Sequence, residues 1–599
     1  MMREGFSMSV DDDAQTENDK GADGSGVDGS VDAASSAPTA SSAPTGDGAP
    51  ASRGEAGAAG PLPDGGAPDR GPDPSSGLDG LDSEMNAHTV RRTARRRRRT
   101  IIAVILVVIL VVVSGVAVLA VRGLHSGGAS ASSTVTIGLK LAPTNLDIRT
   151  QSGSSLDQLL IGNVYEGLVA RNSNNKVVPS LAKSWSMSSD GLRYDFTLNS
   201  GMTFSNGDVL DADDVVWSIR QLVKNQYVGA DLLVGFQSIR ALDSHHVRIT
   251  LSRPYSDFLW VLSGRPGLVL DSQSDNDLRV SAVGSGPYKI SSFHESSSVT
   301  LKENTAYWRG TSPATPTVVI RYFSDDNAAL NALKSGDVQV LAPVSQNLVE
   351  SLSSNPDYTV SVGEGTDKFV LAFNSASAPT SDIRVRRAIR YAIDHKELIA
   401  SRGGVDRQLG GPIPSLDPGY EDLTDMYPLN RAKAKSLLAE AGYDEDHPLE
   451  LTLEYANVYG TQLGEQLKSQ LATVGIRLTV HVVEFATWLR DVYTNHDYEL
   501  SLVDHNESHD FYQWADPDYY YGYDNATVKS LYDKAMESRS DSDRDELLAR
   551  AARIVSRDAP ADWLFNYRIT TAWAAGVSGF PVNLNQTLMP LSGVKWTGA

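Results

Sequence analysis

An uninterrupted apolar run, "IIAVILVVILVVVSGVAVLAV" from Ile101 to Val121, divides the chain in two. Its 21 residues carry no charge. At about 1.5 Å per residue, a helix of this length crosses the roughly 30 Å hydrocarbon layer of a membrane. No polar stripe marks one side, so the run does not read as a helix lying against a globular core. The segment just before it, "RRTARRRRR" from Arg91 to Arg99, is a cluster that the positive-inside rule holds in the cytoplasm. A transmembrane anchor over 100–121 is therefore expected, with the basic cluster (91–99) inside the cell, in contact with anionic lipid rather than nucleic acid. Everything after a short linker (122–133) would lie outside. The small residues "ASAS" at Ala129–Ser132 leave a cleaved signal peptide open. The run is longer than the usual apolar stretch of about 7–15 residues in such peptides, which favours an uncleaved anchor.

Ahead of the basic cluster, residues 1–90 are rich in Ala, Gly, Ser, Asp and Pro and have few large apolar side chains. Such a segment cannot bury enough surface to fold, so an acidic disordered tail is expected. Much of the net charge of −21 sits there and says little about ligands. Met85 would itself be a plausible start. The chain has no cysteine, which excludes disulfides, zinc–thiolate sites, thiol nucleophiles and a lipidated cysteine. At 599 residues it is also too long for a single core, so two or three domains are expected.

The external part alternates strand and helix patterns. "TVTIGL" and "HHVRITL" alternate like strands, and "DADDVVWSIRQLV" opens on a capping Asp and continues as an amphipathic helix. "RYDFTLNSGMTF" reads as a hairpin turning at Asn199–Ser200–Gly201. Later, "TVVIRYF", "DVQVLAPV", "KFVLAFN", "LELTLEYA" and "IRLTVHVVE" are separated by helical patterns such as "DNAALNALKSG" and "YGTQLGEQLKSQLATVG". This succession predicts α/β domains with mixed sheets. Enzyme signatures are missing: there is no G-x-S-x-G elbow, no H-E-x-x-H helix and no Gly-Lys pair for a P-loop.

Several blocks together resemble one family. "NVYEGLV" and "PSLAKSWSMSSDGLRYDFTLNSGMTFSNGDVLDADDVVWSI" are followed in order by "GSGPYKI", "ALNALKSGDVQV" and "FNSASAPTSDIRVRRAIRYAID". "NRAKAKSLLAEAGY", "LGEQLKSQLATVGIRL" and "LLARAARIVSRDAPADWLFN" complete the series. Residues 134–599 are thereby similar to the extracytoplasmic solute-binding proteins of family 5, the peptide-, dipeptide- and nickel-binding subunits of ABC importers. The resemblance implies a two-lobed, periplasmic-binding-protein-like α/β fold of three domains, with a ligand cleft and a hinge between the lobes. Domain I would comprise 134–166, 286–367 and 576–599, domain II 167–285 and domain III 368–575. The hinge strands would lie near "DKFVLAF" and "AWAAGVSGF". It further implies a binding protein rather than an enzyme, monomeric and without a cofactor, that captures oligopeptides and passes them to two permease subunits and their ATPases. A metal chelate or an oligosaccharide is the alternative ligand within the fold, and a signalling receptor is the alternative outside transport. A surface anchor suits a Gram-positive host.

Peptide-binding members carry a cleft motif, Ala/Gly-Asp-x-x-Glu/Asp-Pro, whose first Asp pairs with the peptide α-amine. "SLVDHNESHD" (501–510) matches its spacing, placing Asp504 at the amine anchor and Glu507 at the second acid. Ser508 replaces the usual Pro, and Ser501 stands where an aromatic is usual. A carboxylate suits a primary ammonium, which offers three donors and a full charge. The stretch has rival readings: a solvated loop, or a metal site from His505, Glu507 and His509 on one face of an extended segment. A deaminase-like His505-x-Glu507 is excluded by the lack of cysteine. Leu502 is expected beside the anchor. The aromatic run "FYQWADPDYYYGY" (511–523), represented by Trp514, together with Trp488 and the loop Gln151, Ser152, Gly153, is expected to line the pocket.

Overall fold

The computed structural model describes residues 133–598. The expected tail, basic cluster and transmembrane segment, and the linker apart from Ser133, lie outside the described residues. Among the described residues no helix is long and apolar enough to cross a membrane.

Three large sheets, beside two two-stranded ones, organise the described residues. The first runs in the order Tyr358–Gly363, Ile569–Ala574, Val340–Ala342, Thr134–Leu139, Thr317–Tyr322, Ser298–Glu303, Tyr288–His294. Thr134–Leu139 is parallel to both its neighbours, whereas the outer pairs are antiparallel, so the sheet is mixed. The second is antiparallel, in the order Ala182–Met187, Arg193–Leu198, His246–Leu251, Phe236–Asp243. The helix Ala212–Asn225 packs against it through the same apolar cluster. Asp211 caps that helix in a reciprocal box with Asp214, as the "DADD" spelling predicts.

The third sheet runs Arg477–Val483, Glu450–Ala456, Leu500–His505, Lys368–Phe373, Ala561–Asn566. Its strand Lys368–Phe373 is buried at every position. Phe369, Leu371 and Phe373 enter one apolar cluster with the helices Ile383–Ala392, Arg431–Ala441 and Gln462–Ala472. Val370 and Ala372 enter another on the opposite side, with Ala526–Met536 and Asp541–Asp558. A strand covered on both faces needs a continuous apolar spelling, and "FVLAF" (369–373) supplies it after the paired Lys368.

Several sequence expectations change. Asn199–Gly201 does not join two strands: Arg193–Leu198 pairs with Ala182–Met187 and His246–Leu251, while 202–204 contributes only an isolated bridge from Thr203 to Val209. The strand Ile569–Ala574 belongs to the first sheet, paired along its length with Tyr358–Gly363. The chain passes from the third sheet back into the first at 567–568, a few residues before "AWAAGVSGF". The two crossings touch, because the Tyr567 amide donates to the Asp367 carbonyl at 2.9 Å. The Asn566 side chain also donates to the carbonyls of Gly365 and Asp367. "GSGPY" is a structural turn: a Cβ at Gly284 would stand 2.0 Å from the Val164 carbonyl oxygen.

A buried ionic group ties the third sheet to its helices. Arg390 Nε lies 3.1 Å from Asp562 Oδ1, and His395 Nε2 lies 3.0 Å from Asp562 Oδ2. Burial is the largest influence on Asp562 and pushes its carboxyl up, but His395 and Arg390 together outweigh it and hold it below the usual aspartate range. Asp562→Asn removes a charge and strands Arg390, so a loss of about 3–5 kcal/mol is expected in urea unfolding at pH 7. A carboxyl depressed by folding stabilises the fold above the unfolded pKa of about 3.9, and the contribution fades as pH falls towards the folded value. The gap between wild type and variant should therefore narrow below pH 4.

Candidate functional site

The stretch 501–510 begins inside the third sheet and ends as a loop. Leu500–His505 lies between Glu450–Ala456 and Lys368–Phe373, with Asp504 opposite Phe369 and His505 opposite Lys368. Side chains alternate across a sheet, so Asp504 and His505 face opposite ways. The stretch therefore has two environments.

On the His505 side the imidazole is enclosed. Its Nε2 lies 3.0 Å from Tyr520 Oη and 2.7 Å from Tyr521 Oη. Burial, aided by the Lys368 charge, lowers its pKa to about 3, so the ring is neutral. Beside it, the Lys368 ammonium lies 3.0 Å from Asp510 Oδ2 and donates to the carbonyls of Thr366 and Glu507. Burial pushes the Asp510 carboxyl up to about 7. Burial lowers the Lys368 pKa most strongly, but the Asp510, Asp417 and Glu507 charges outweigh it and hold the ammonium above its usual range.

The expected His505–Glu507–His509 face does not form, because the strand ends at His505 and His509 points elsewhere. His505, Glu507 and Asp510 do bring ligand-type atoms within 4.8 Å of one another. Lys368 already supplies the cation that this cluster calls for.

Ser508 and His509 instead meet the second sheet's domain. The His509 ring stacks on Trp260 at 4.1 Å between centroids, and its Nδ1 lies 3.0 Å from Asp257 Oδ1. Arg544 Nη1 stands 3.7 Å from the same oxygen. Burial raises the Asp257 carboxyl most strongly, yet His509 and Arg544 outweigh it and leave its pKa low. Asn175 donates to Ser508 Oγ at 2.8 Å and to Asp417 Oδ1 at 3.1 Å, and Trp260 Nε1 donates to Asn175 Oδ1. These are contacts between the lobes.

On the Asp504 side, Oδ1 is buried without a hydrogen-bond partner. Burial is the largest influence on this carboxyl and the Asp367 charge the next. Lys368 and Arg402 oppose them without prevailing, and the pKa lies well above the aspartate range. Arg402 packs its guanidinium over Phe565 at 4.5 Å and Phe369 at 5.2 Å, and its Nε lies 2.8 Å from Asp406. The Asp504 amide donates to Tyr459 Oη at 3.2 Å. A carboxyl walled by aromatic rings and short of a partner is suited to receive a cationic donor.

The remaining sequence-predicted positions fall differently. Leu502 is fully buried in the apolar cluster beneath Asp504 and is a packing residue. Trp488 is 1% exposed and donates to Ser501 Oγ at 2.9 Å. Trp514 stacks on Tyr521 at 4.2 Å and meets Trp563 edge-on. Both tryptophans fill the core, as does most of the aromatic run, because rings this close bury one another. Glu507 is half-buried and serves Lys368 through its carbonyl. Ser152 and Gly153 are exposed, while Gln151 bonds to Thr144 and Asn145 within its own loop. Arg265 clamps that loop through the carbonyls of Gln151 and Gly153. Sequence reasoning missed Asp367, Lys368, Arg402 and Asp510. Only the charged pair ahead of "FVLAF" offered a signal.

An α/β fold crossed twice by the chain, with a buried carboxyl left partnerless at the end of one strand, suits a binding protein. The family model described as bacterial extracellular solute-binding proteins, family 5 Middle, matches residues 176–545, and the chain belongs to that family. Di/tripeptide-binding protein 2 of Pseudomonas aeruginosa is 26% identical over 486 residues, covering 72% of this chain and 88% of that protein. The glutathione-binding protein GsiB of Pectobacterium atrosepticum is 25% identical over 456 residues, with the same two coverages of 72% and 88%. The ABC transporter substrate-binding protein CtaP of Listeria monocytogenes shares the fold, with a TM-score of 0.70 at 20% identity over 78% of this chain and 100% of that one.

Truncating Asp257 to Ala leaves His509 and Arg544 without their shared acid and should weaken the lobe contact by about 3–5 kcal/mol. Small-angle scattering should then show a larger radius of gyration than wild type. An unchanged radius would mean that this contact does not hold the lobes together.

Proposed function

We propose that this protein is a membrane-tethered extracellular receptor that captures oligopeptides between its lobes and delivers them to an ABC permease. The observation that carries the reading is the buried, partnerless Oδ1 of Asp504. It sits at the position matching the amine anchor of peptide-binding family members, and a peptide α-amine is the donor it lacks. Two relatives named for binding small peptides support the same ligand class.

In this reading domain I (134–166, 286–367 and the C-terminal segment) and domain II (167–285) form one lobe and domain III the other. The loop Gln151, Ser152, Gly153, held by Arg265, supplies a second wall of the cleft. Closure brings Asn175, Asp257 and Trp260 onto Ser508 and His509, and the loaded, closed form docks on two permease subunits served by two ATPases. The receptor is a monomer, tethered through the apolar run at 101–121.

A calorimetric titration of the full-length protein with a tri- to hexapeptide library tests this. A charged hydrogen bond is worth roughly 1.5–3 kcal/mol, so Asp504→Asn and N-acetylation of the peptide should each weaken binding by about tenfold or more. Binding indifferent to both changes would move the anchor elsewhere. No peptide binding, with heat from a nickel chelate or an oligosaccharide instead, would overturn the peptide reading.

A further inference from the structure

Asp504 is not the only acid without a cation on its side of the third sheet. Asp367 lies two residues before Phe369, which is directly opposite Asp504. Asp367 stands immediately before the strand Lys368–Phe373, whose first residue pairs with His505, and its charge is among the causes that raise the Asp504 carboxyl, so the two acids lie within charge range of each other. Asp367 is buried, at 7% exposure, and makes no salt bridge among the described residues.

The charged and titratable groups facing the two acids can be named. Tyr567 comes from the second crossing and lies within charge range of Asp406, Arg402, Asp367 and Asp504. Tyr459 comes from the turn after Glu450–Ala456 and meets the Asp504 amide. Arg402, just past the helix His395–Ser401, is the cation on this side, and Asp406 already holds it at 2.8 Å. Lys368 is turned to the opposite face, where Asp510 holds it. Two buried carboxyls thus stand near each other, and among the described residues the nearby cations Lys368 and Arg402 are each already paired with another acid. Two ionised acids in such a place are unfavourable, and one proton between them relieves the conflict. Burial by itself pushes Asp367 up to about 7, and the Asp367 charge adds to burial in raising Asp504.

We propose that Asp504 and Asp367 act as a carboxyl pair that holds one proton in the empty receptor and releases it when a cationic amine enters. Capture is then an exchange of one proton for one ammonium. The balance is simple. The empty pair, one acid and one carboxylate, carries one negative charge. The loaded pair, two carboxylates and an ammonium, carries the same charge, and the proton passes to solvent. The pocket is never left with an uncompensated charge in either state. Asp367 thereby becomes a specificity residue: it makes the site selective for ligands that bring a full positive charge, against neutral amides of the same shape. The proposal rests on the amine-anchor reading of Asp504.

Titration calorimetry of the full-length protein with a tripeptide at pH 6, repeated in buffers of different ionisation heat, counts the protons released. At that pH the peptide amine, with a pKa of about 7.7–8.0, is already protonated and contributes none. Close to one proton should leave per peptide bound. With Asp367 pushed up to about 7, affinity should fall about 20–30-fold between pH 7.5 and pH 5.5. In Asp367→Asn, which removes one cause that raises Asp504 but leaves its burial, proton release at pH 6 and the pH dependence should both fall clearly below wild type. Peptide binding without proton release, or release unchanged in Asp367→Asn, would overturn the exchange while leaving the peptide reading intact.

A second measurement needs no ligand. Infrared spectra of the empty protein at pH 6 should show one protonated carboxyl fewer in Asp367→Asn and in Asp504→Asn than in wild type. If no peptide binds, the amine-anchor reading fails, and the infrared result alone decides the carboxyl pair. An unchanged protonated-carboxyl signal in both variants would overturn it.

Discussion

The ion pair between Lys368 and Asp510 is the contact on which the rest of the site depends. Lys368 begins the strand that enters the second lobe, and Asp510 ends the loop that leaves its neighbour. An ammonium buried this deeply is tolerable only with an acid and further acceptors around it. Asp510 and the carbonyls of Thr366 and Glu507 meet that need. Together they fix the loop 506–510 against the first crossing. With that loop fixed, Ser508 and His509 present themselves to Asn175, Trp260 and Asp257, while Asp504 stays on the far face beside Asp367.

This division explains why one acidic stretch can serve two purposes without confusing them. The half that meets the other lobe uses neutral or compensated groups: a stacked ring pair, an amide, and an acid already paired with His509 and Arg544. The half that faces Asp367 keeps an acid without a partner. One sheet lies between them, so the acid without a partner stands apart from the contact that joins the lobes.

Much of the fold was legible because its signals are local. Asp211 before "ADDVV" and Gly336 after "NALKS" end their helices as their spelling says, and "FVLAF" reads as a doubly covered strand. The family resemblance gave the periplasmic-binding-protein-like α/β fold and singled out Asp504 as a candidate. Whether an aromatic lines a pocket or a core is decided by what packs on it from distant segments, and nothing in "FYQW" or "YYYGY" states that Trp514 meets Tyr521 and Trp563. The hairpin at Asn199 failed for a related reason, since Arg193–Leu198 finds better partners on both sides than the short segment after the turn. The companion acid Asp367 was hidden because it lies some 140 residues from Asp504 in sequence, in a separate segment, and is brought close only by the antiparallel register of two strands.

The place of the strand Ile569–Ala574 has a consequence for how the molecule is made. It lies inside the first sheet, between Tyr358–Gly363 and Val340–Ala342, yet it is synthesised after the whole of the second lobe. The first lobe therefore waits with a gap in its sheet while about 200 residues are translated, roughly 10–40 s at ribosomal speed. The second lobe has its entire sheet by residue 566 and has no such wait. Order of assembly thus runs against order of sequence: the lobe begun first is completed last, around a finished partner.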